Sequence, residues 1–358
     1  MRSRKSLSIL VPLLAGAVYA ADEGAWQRLM VKDDAPVLIR DIAIVENQFF
    51  ALDVAGALYH GKQELTERLE LEPKAELSTI WGLRANDVYA VGSNGVVARF
   101  DGQKLAVLGE PIASVFREIH VDMRATPKEV KLTHVLAISP NDVYAAGEPA
   151  VIVHFDGKKW SEVDIGVRAV QVSDNSRLGT HLEMPRVGPI WGTSIDRVWI
   201  RKEITKTSEN GRFSADIGSE ISHLNGQKWN DTGQALPVEG WEKEGRSPCL
   251  ASVRILSSGV LTRFEGAIHE WDAAEQKWSS IARLPEGRWE HWTAADKEHV
   301  LIYGYDRGFH LWDGKSWNRL DLPGPPLTAS VAKIDISTDR RLLVMLNFRG
   351  QAFKLLLK

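Results

Sequence analysis

The sequence predicts an all-β chain, a seven-bladed β-propeller of four-stranded blades closed by an N-terminal strand that completes the last blade. Three observations lead there. A strand–turn–strand signature recurs without gaps, an Asx-Gly turn followed by Trp trails it, and the two chain ends each carry part of one further unit.

The first signature runs from Ile80 to Gly92 as IWGLRANDVYAVG, returns from Val135 to Gly147 as VLAISPNDVYAAG, and again from Ile190 to Trp199 as IWGTSIDRVW. The apolar run around Trp81 reads as one strand, Asn86-Asp87 as a turn, and Val88 to Val91 as a second strand. Gly92 to Gly95 makes the next bend and Val96 to Phe100 a third strand. Asp101-Gly102 then reads as a hairpin, because Asx-Gly accepts the positive φ that tight hairpins require. It recurs as Asp156-Gly157, Asn225-Gly226 and Asp313-Gly314, and Trp160, Trp229 and Trp317 follow three residues after the Gly as fourth-strand landmarks. Strands such as Val151 to Phe155 are apolar on both faces, as stacked sheets demand. No window carries helical periodicity.

Fourth-strand landmarks fall at Trp160, Trp229, Trp278 and Trp317, with weaker versions at Glu64-Leu65 and Lys104-Leu105. A seventh, Ala25 to Leu29, has no preceding strands, and the C-terminal segment from Gly350 reads as a third strand with no fourth. Together they form one blade, which removes the open edges of an incomplete ring.

Residues 1–20 read as a signal peptide. Arg2, Arg4 and Lys5 precede an apolar stretch from Leu7 to Val18, and Val18-Tyr19-Ala20 supplies the small residues of a cleavage site. The stretch is shorter than the roughly 20 apolar residues of a membrane-spanning helix, and no later segment approaches that length. Residues 21–358 are expected to form a single propeller domain outside the cytoplasm. The formal net charge of −3 argues against a nucleic-acid partner. Cys249 is the sole cysteine, so no internal disulfide can form.

The repeat pattern, clearest over residues 78–160, resembles exported bacterial β-propellers of the Ycf48-like and BNR-like groups. That resemblance implies the fold; its members include assembly factors, binding proteins and glycoside hydrolases, among which the fold does not choose. The sialidase Ser-x-Asp-x-Gly-x-x-Trp box is absent.

No catalytic, cofactor or metal motif is found. Gly192-Thr193-Ser194 lacks the second Gly of a nucleophile elbow, and His269-Glu270 lacks the second His of a zinc helix. Titratable residues on predicted inner strands, Arg40, His134, Arg254, His291 and Lys333, are channel candidates for an anionic ligand. Trp241, Trp289 and Trp292 lie at or beside predicted loops and are candidates for ligand stacking.

Three departures from the repeat, 106–131, 163–188 and 201–219, are read as insertions that emerge on one face, where loops carry function. Within them, Phe116 to Met123 and Val167 to Val172 alternate polar and apolar residues and are expected to pair as a small sheet. Eleven Lys/Arg and ten Asp/Glu across the three balance, which suits a protein or glycan better than a polyanion. Arg117, Arg124, Arg168, Arg177 and Arg212 are the candidate contacts. The opposite face offers only short turns, such as those at Asn86-Asp87 and Asn141-Asp142. The functional expectation is an exported, non-enzymatic scaffold binding a protein partner in the cell envelope. The alternative is a glycan-binding module or polysaccharide-active enzyme.

Overall fold

The computed structural model describes residues 26–31, 37–62, 64–72, 74–109, 130–148, 151–163, 170–173, 180–194, 197–208, 214–225, 228–235, 253–256, 259–264, 266–272, 277–320, 331–337 and 339–357. Among these the chain is all-β, in seven antiparallel sheets, with no α-helix and one 3-10 turn at Ser93–Gly95.

The first sheet comprises Ile39–Val45, Gln48–Asp53, Leu58–Gly61 and Glu67–Leu69. The second comprises Leu77–Arg84, Asp87–Gly92, Val97–Phe100 and Leu105–Val107. Lys131–Ser139, Asp142–Glu148, Val151–Phe155 and Trp160–Glu162 make the third. In the fourth, an extra strand Val170–Ser173 precedes Thr180–Ser194, Arg197–Ser208, Ser214–Asn225 and Lys228–Ala235. The fifth holds Val253–Leu256, Gly259–Phe264, Ala267–Asp272 and Lys277–Arg283. The sixth holds His291–Asp296, His299–Gly304, Gly308–Trp312 and Trp317–Leu320. The seventh takes Val331–Ile336, Leu342–Asn347 and Ala352–Leu356 from the C-terminus and Gln27–Arg28 from the other end, with Gln27 opposite Lys354.

Strands pair in chain order within each sheet, so two kinds of connection leave on one side: second strand to third, and fourth strand to the next sheet. We call this the insertion side. The remaining turns leave on the opposite side. Seven strands, those beginning at 39, 77, 131, 180, 253, 291 and 331 and called inner strands below, are neighbours in that order, and the last lies against the first.

The core lies between sheets. Phe50, Leu52 and Leu58 of the first sheet pack with Ile80, Val88, Ala90 and Phe100 of the second. Val344 and Leu346 of the seventh pack with Ile42, Phe49 and Ala51 of the first. Second strands such as Asp87–Gly92 are buried throughout, which is why they read as continuous apolar runs. Each fully buried aliphatic there contributes about 1.5–3 kcal/mol.

The repeated signature has a physical reason at each position. Gly92 and Gly147 end second strands so close to the preceding inner strand that an added Cβ would lie 1.9 and 2.0 Å from the Glu76 and Lys131 carbonyl oxygens. Gly102 and Gly157 have φ of 96° and 89°, while Asp101 and Asp156 accept two backbone N–H groups each at 2.9 Å. Asp87 and Asp142, expected at an exposed turn, point back into their sheets instead. Asp87 is 3% exposed and accepts from Arg99 Nε at 2.6 Å; Asp142 meets His154 Nε2 at 2.6 Å. The ring of His154 stacks on Tyr144 at 4.3 Å.

One further expectation is corrected. The fourth strand of the first sheet is Glu67–Leu69; Leu65 instead makes a parallel bridge to Val31. The turn after Gly61 runs longer than a hairpin, with Thr66 N–H returning to His60 O. Within 163–188 and 201–219 the described residues are mostly strand. Val170–Ser173 pairs with Thr180–Glu183 of its own segment, and strands Arg197–Ser208 and Ser214–Asn225 run on beyond the sheet to pair with that extension. The counterpart expected to pair there, residues 116–123, lies outside the described residues.

Candidate functional site

The inner strands carry the channel candidates, and the structure ties several into joints between sheets. Arg40 sits at a bulge between Ile39 and Asp41, which turns its side chain toward the second sheet. There it donates to Glu76 Oε1 at 2.8 Å and Leu77 O at 3.0 Å, and to Val54 O at 3.1 Å. Lys333 Nζ reaches from the seventh sheet to Asp41 Oδ1 at 2.7 Å. The other oxygen of Asp41 accepts the Ile80 N–H of the second sheet at 2.9 Å. Asp335 repeats the device, accepting the Ile44 N–H at 3.1 Å and the Thr293 hydroxyl at 3.2 Å. A carboxylate of one sheet thus satisfies the open inner edge of the next. Arg40 and Lys333 are committed to this framework.

Burial holds both histidines below their ordinary value. Burial pushes His134 down to about 4, and its Nδ1 lies 2.9 Å from Thr133 Oγ1. Burial also lowers His291, helped by the charge of Arg263 and opposed by a hydrogen bond with the Val331 backbone. Arg254 occupies its inner strand opposite Leu261.

Trp289 and Trp292, expected beside loops, are core residues, 8% and 3% exposed. Trp289 Nε1 donates to Pro285 O at 2.9 Å and its ring meets His310 edge-on at 4.8 Å. Both pack between the fifth and sixth sheets with Leu261 and Ile268. The segment before the sixth inner strand folds inward, and an aromatic there gains more by burial than by exposure. Trp241, Arg117, Arg124, Arg168, Arg177 and Arg212 lie outside the described residues.

The insertion side has two features that the sequence reading missed. Large apolar residues Leu38, Val54, Tyr305 and Phe348 are 54%, 48%, 76% and 73% exposed, and all four sit on its connections in the sixth, seventh and first sheets. Beside Tyr305 opens a cavity of about 370 Å³ lined by Arg288, Glu290, Asp306 and Arg307. The available signals were faint: a bulky residue inside a turn, the charged pair Arg288 and Glu290 flanking Trp289, and the dipeptide Asp306-Arg307 in a separate turn. Among the described residues no group of three or more His, Cys, Asp or Glu is placed to hold a metal ion, and no helix is long and apolar enough to cross a membrane.

No family model and no curated protein matches the sequence. Similar solved structures are β-propellers or come from a propeller-type protein. The β-propeller domain of Cps50 (Swd1) from Myceliophteria thermophila has a TM-score of 0.55 at 12% identity, covering 93% of this chain and 100% of that one. YCF48 bound to D1 peptide gives 0.52 at 13%, covering 98% and 100%. YCF48 from Cyanidioschyzon merolae gives 0.51 at 13%, covering 92% and 98%. At such identities the likeness establishes the fold, a β-propeller.

Proposed function

We propose that this propeller is an exported, seven-bladed ring closed by Gln27–Arg28, acting as a non-enzymatic protein-interaction or assembly scaffold in the cell envelope. The observation that carries the binding reading is the asymmetry between its two sides. The insertion side gathers the prolonged fourth sheet and four of the five exposed large apolar residues among those described. Large apolar side chains held out to solvent on one side suit an interaction surface, and the opposite side offers short turns. A neighbouring fold, YCF48, was solved with a peptide bound, so this architecture accommodates polypeptide ligands. The ring reading rests on the seven sheets, the Gln27–Lys354 pairing and the cyclic order of inner strands. Export rests on the basic–apolar–small order of residues 1–20.

The test removes the prolongation of the fourth sheet as a unit, replacing 164–186 and 202–218 with short turns. Cutting only 201–219 would strip His181–Val187 of their partners in the following strand. The removed ladder pairs with itself beyond the four-stranded part of the sheet, so the melting temperature should hold. Capture of a partner from envelope extract should fall at least about tenfold, or 1.4 kcal/mol. A partner bound equally well by the shortened protein would place recognition elsewhere. A glycan array run alongside decides for the glycan-binding alternative if it, and not the extract, gives a saturable ligand.

A further inference from the structure

The cavity beside Tyr305 has an internal order that an arbitrary group of surface charges lacks. Glu290 precedes the sixth inner strand, and its backbone N–H donates to Tyr303 O at 3.0 Å. Its side chain is used twice: Arg288 Nε lies 3.2 Å from Oε1, and Oε2 accepts the Tyr305 N–H at 2.9 Å. Arg307 is set in the turn between second and third strands by its N–H to Gly304 O at 3.0 Å. Gly287 receives its guanidinium: a Cβ there would lie 3.0 Å from Nε and 3.2 Å from Cζ, and the φ of 135° already disfavours one. The backbone leaves a notch that the flat cation occupies.

With Arg288 and Glu290 paired to each other, one cation and one anion remain on the cavity wall, Arg307 and Asp306. Among the described residues neither takes part in an ion pair. They are adjacent in sequence on one turn, and the cavity before them holds about 370 Å³, the size class of small-molecule sites. A guanidinium fork matches a carboxylate with two parallel hydrogen bonds. A carboxylate such as Asp306 accepts from an ammonium group.

We propose that Arg288, Glu290, Asp306 and Arg307 form a binding site for a small zwitterion carrying both a carboxylate and an ammonium, of the α-amino acid class. Arg307 takes the ligand carboxylate, Asp306 its ammonium, and the Arg288–Glu290 pair supplies a neutral wall. The site is independent of the scaffold reading, since it needs no macromolecular partner.

Titration calorimetry on the full mature chain tests it with glycine, L-alanine and L-glutamate as probes. Acetate, ethylammonium and N-acetylalanine amide serve as the half-matched controls. The expected result is saturable binding of at least one zwitterion, with each control at least about tenfold weaker. R307K should lose at least about tenfold, because an ammonium cannot replace the fork, and D306N should reduce the zwitterion to the level of acetate. Both positions lie on an exposed turn, so their melting curves should match the parent and exclude misfolding as the cause. Equal binding of acetate and glycine, indifference to R307K, or no binding by any of the zwitterions would overturn the site. The variant lacking the prolongation of the fourth sheet should bind the zwitterion as the parent does, which separates this result from the test of the scaffold.

Discussion

The indole Nε1 of Trp160 donates to the carbonyl of Leu108 at 2.7 Å, across the gap between the third sheet and the end of the second. Trp317 does the same to Arg283 of the fifth sheet, also at 2.7 Å. The recurring Trp is therefore an outer clamp between sheets as well as a packing residue. W160F keeps an aromatic ring but drops the donor and part of the indole's volume, and should cost about 1–3 kcal/mol. W160A should cost about 3–5 kcal/mol. Urea unfolding distinguishes the two; a W160F protein as stable as the parent would mean the hydrogen bond is immaterial.

Asp87 and Arg99 bridge the second and third strands of their sheet, the carboxylate buried and the guanidinium 30% exposed. D87A leaves a half-buried cation without its partner and should destabilise by about 2 kcal/mol. A double-mutant cycle with R99A should return a coupling of about 1–2 kcal/mol. Additive losses would show that the two side chains act separately.

His134 gives the fold an acid-sensitive term. Its folded pKa, about 4, lies below the ordinary histidine value of about 6.5. Between these values the unfolded chain binds the extra proton, so stability falls as pH drops from 6.5 toward 4 and is unaffected above that window. The full loss is at most about 3 kcal/mol. H134Q should flatten this part of the stability–pH curve; an unchanged slope would assign the acid response to other groups.

Deleting Trp26 to Met30 tests ring closure. It removes the partner of Ala352–Leu356, the Leu29 N–H to Ala352 O bond at 2.9 Å, and the contact of Trp26 with Phe309. Burial of Leu29 and Trp26 together puts the loss at roughly 4 kcal/mol or more. The exposed edge should also promote self-association. Parent-like melting of a monomer would refute closure.

Export has a simpler check. Intact mass of the protein recovered from periplasm or medium should match a chain beginning at Ala21. Full-length protein confined to the cytoplasm would reject the leader.

How much of this was legible in the sequence depended on whether the signal was local. Val88 to Val91 and Asp101-Gly102 announce their strand and turn because burial on both faces and positive φ are written in the residues concerned. The fit of Gln27 against Lys354 followed from two incomplete ends. Arg40 and Lys333 read as channel candidates because a charged residue on an inner strand looks available. Their partners Glu76 and Asp41 come from other sheets, and a single sequence does not reveal such register. The same holds for Trp289, whose burial depends on an inward fold of the chain.

The pairing of Gln27 with Lys354 also sets a kinetic condition. These residues stand at nearly opposite ends of the chain, so this ladder belongs to the highest contact order the molecule possesses. Closing so long a loop is entropically costly, and contacts of this kind slow folding. Synthesis must reach the final strand before the first one has anywhere to dock. Until then the segment around Trp26 and the edge at Phe353 are both unprotected, and the molecule is at its most vulnerable to proteases and to other copies of itself.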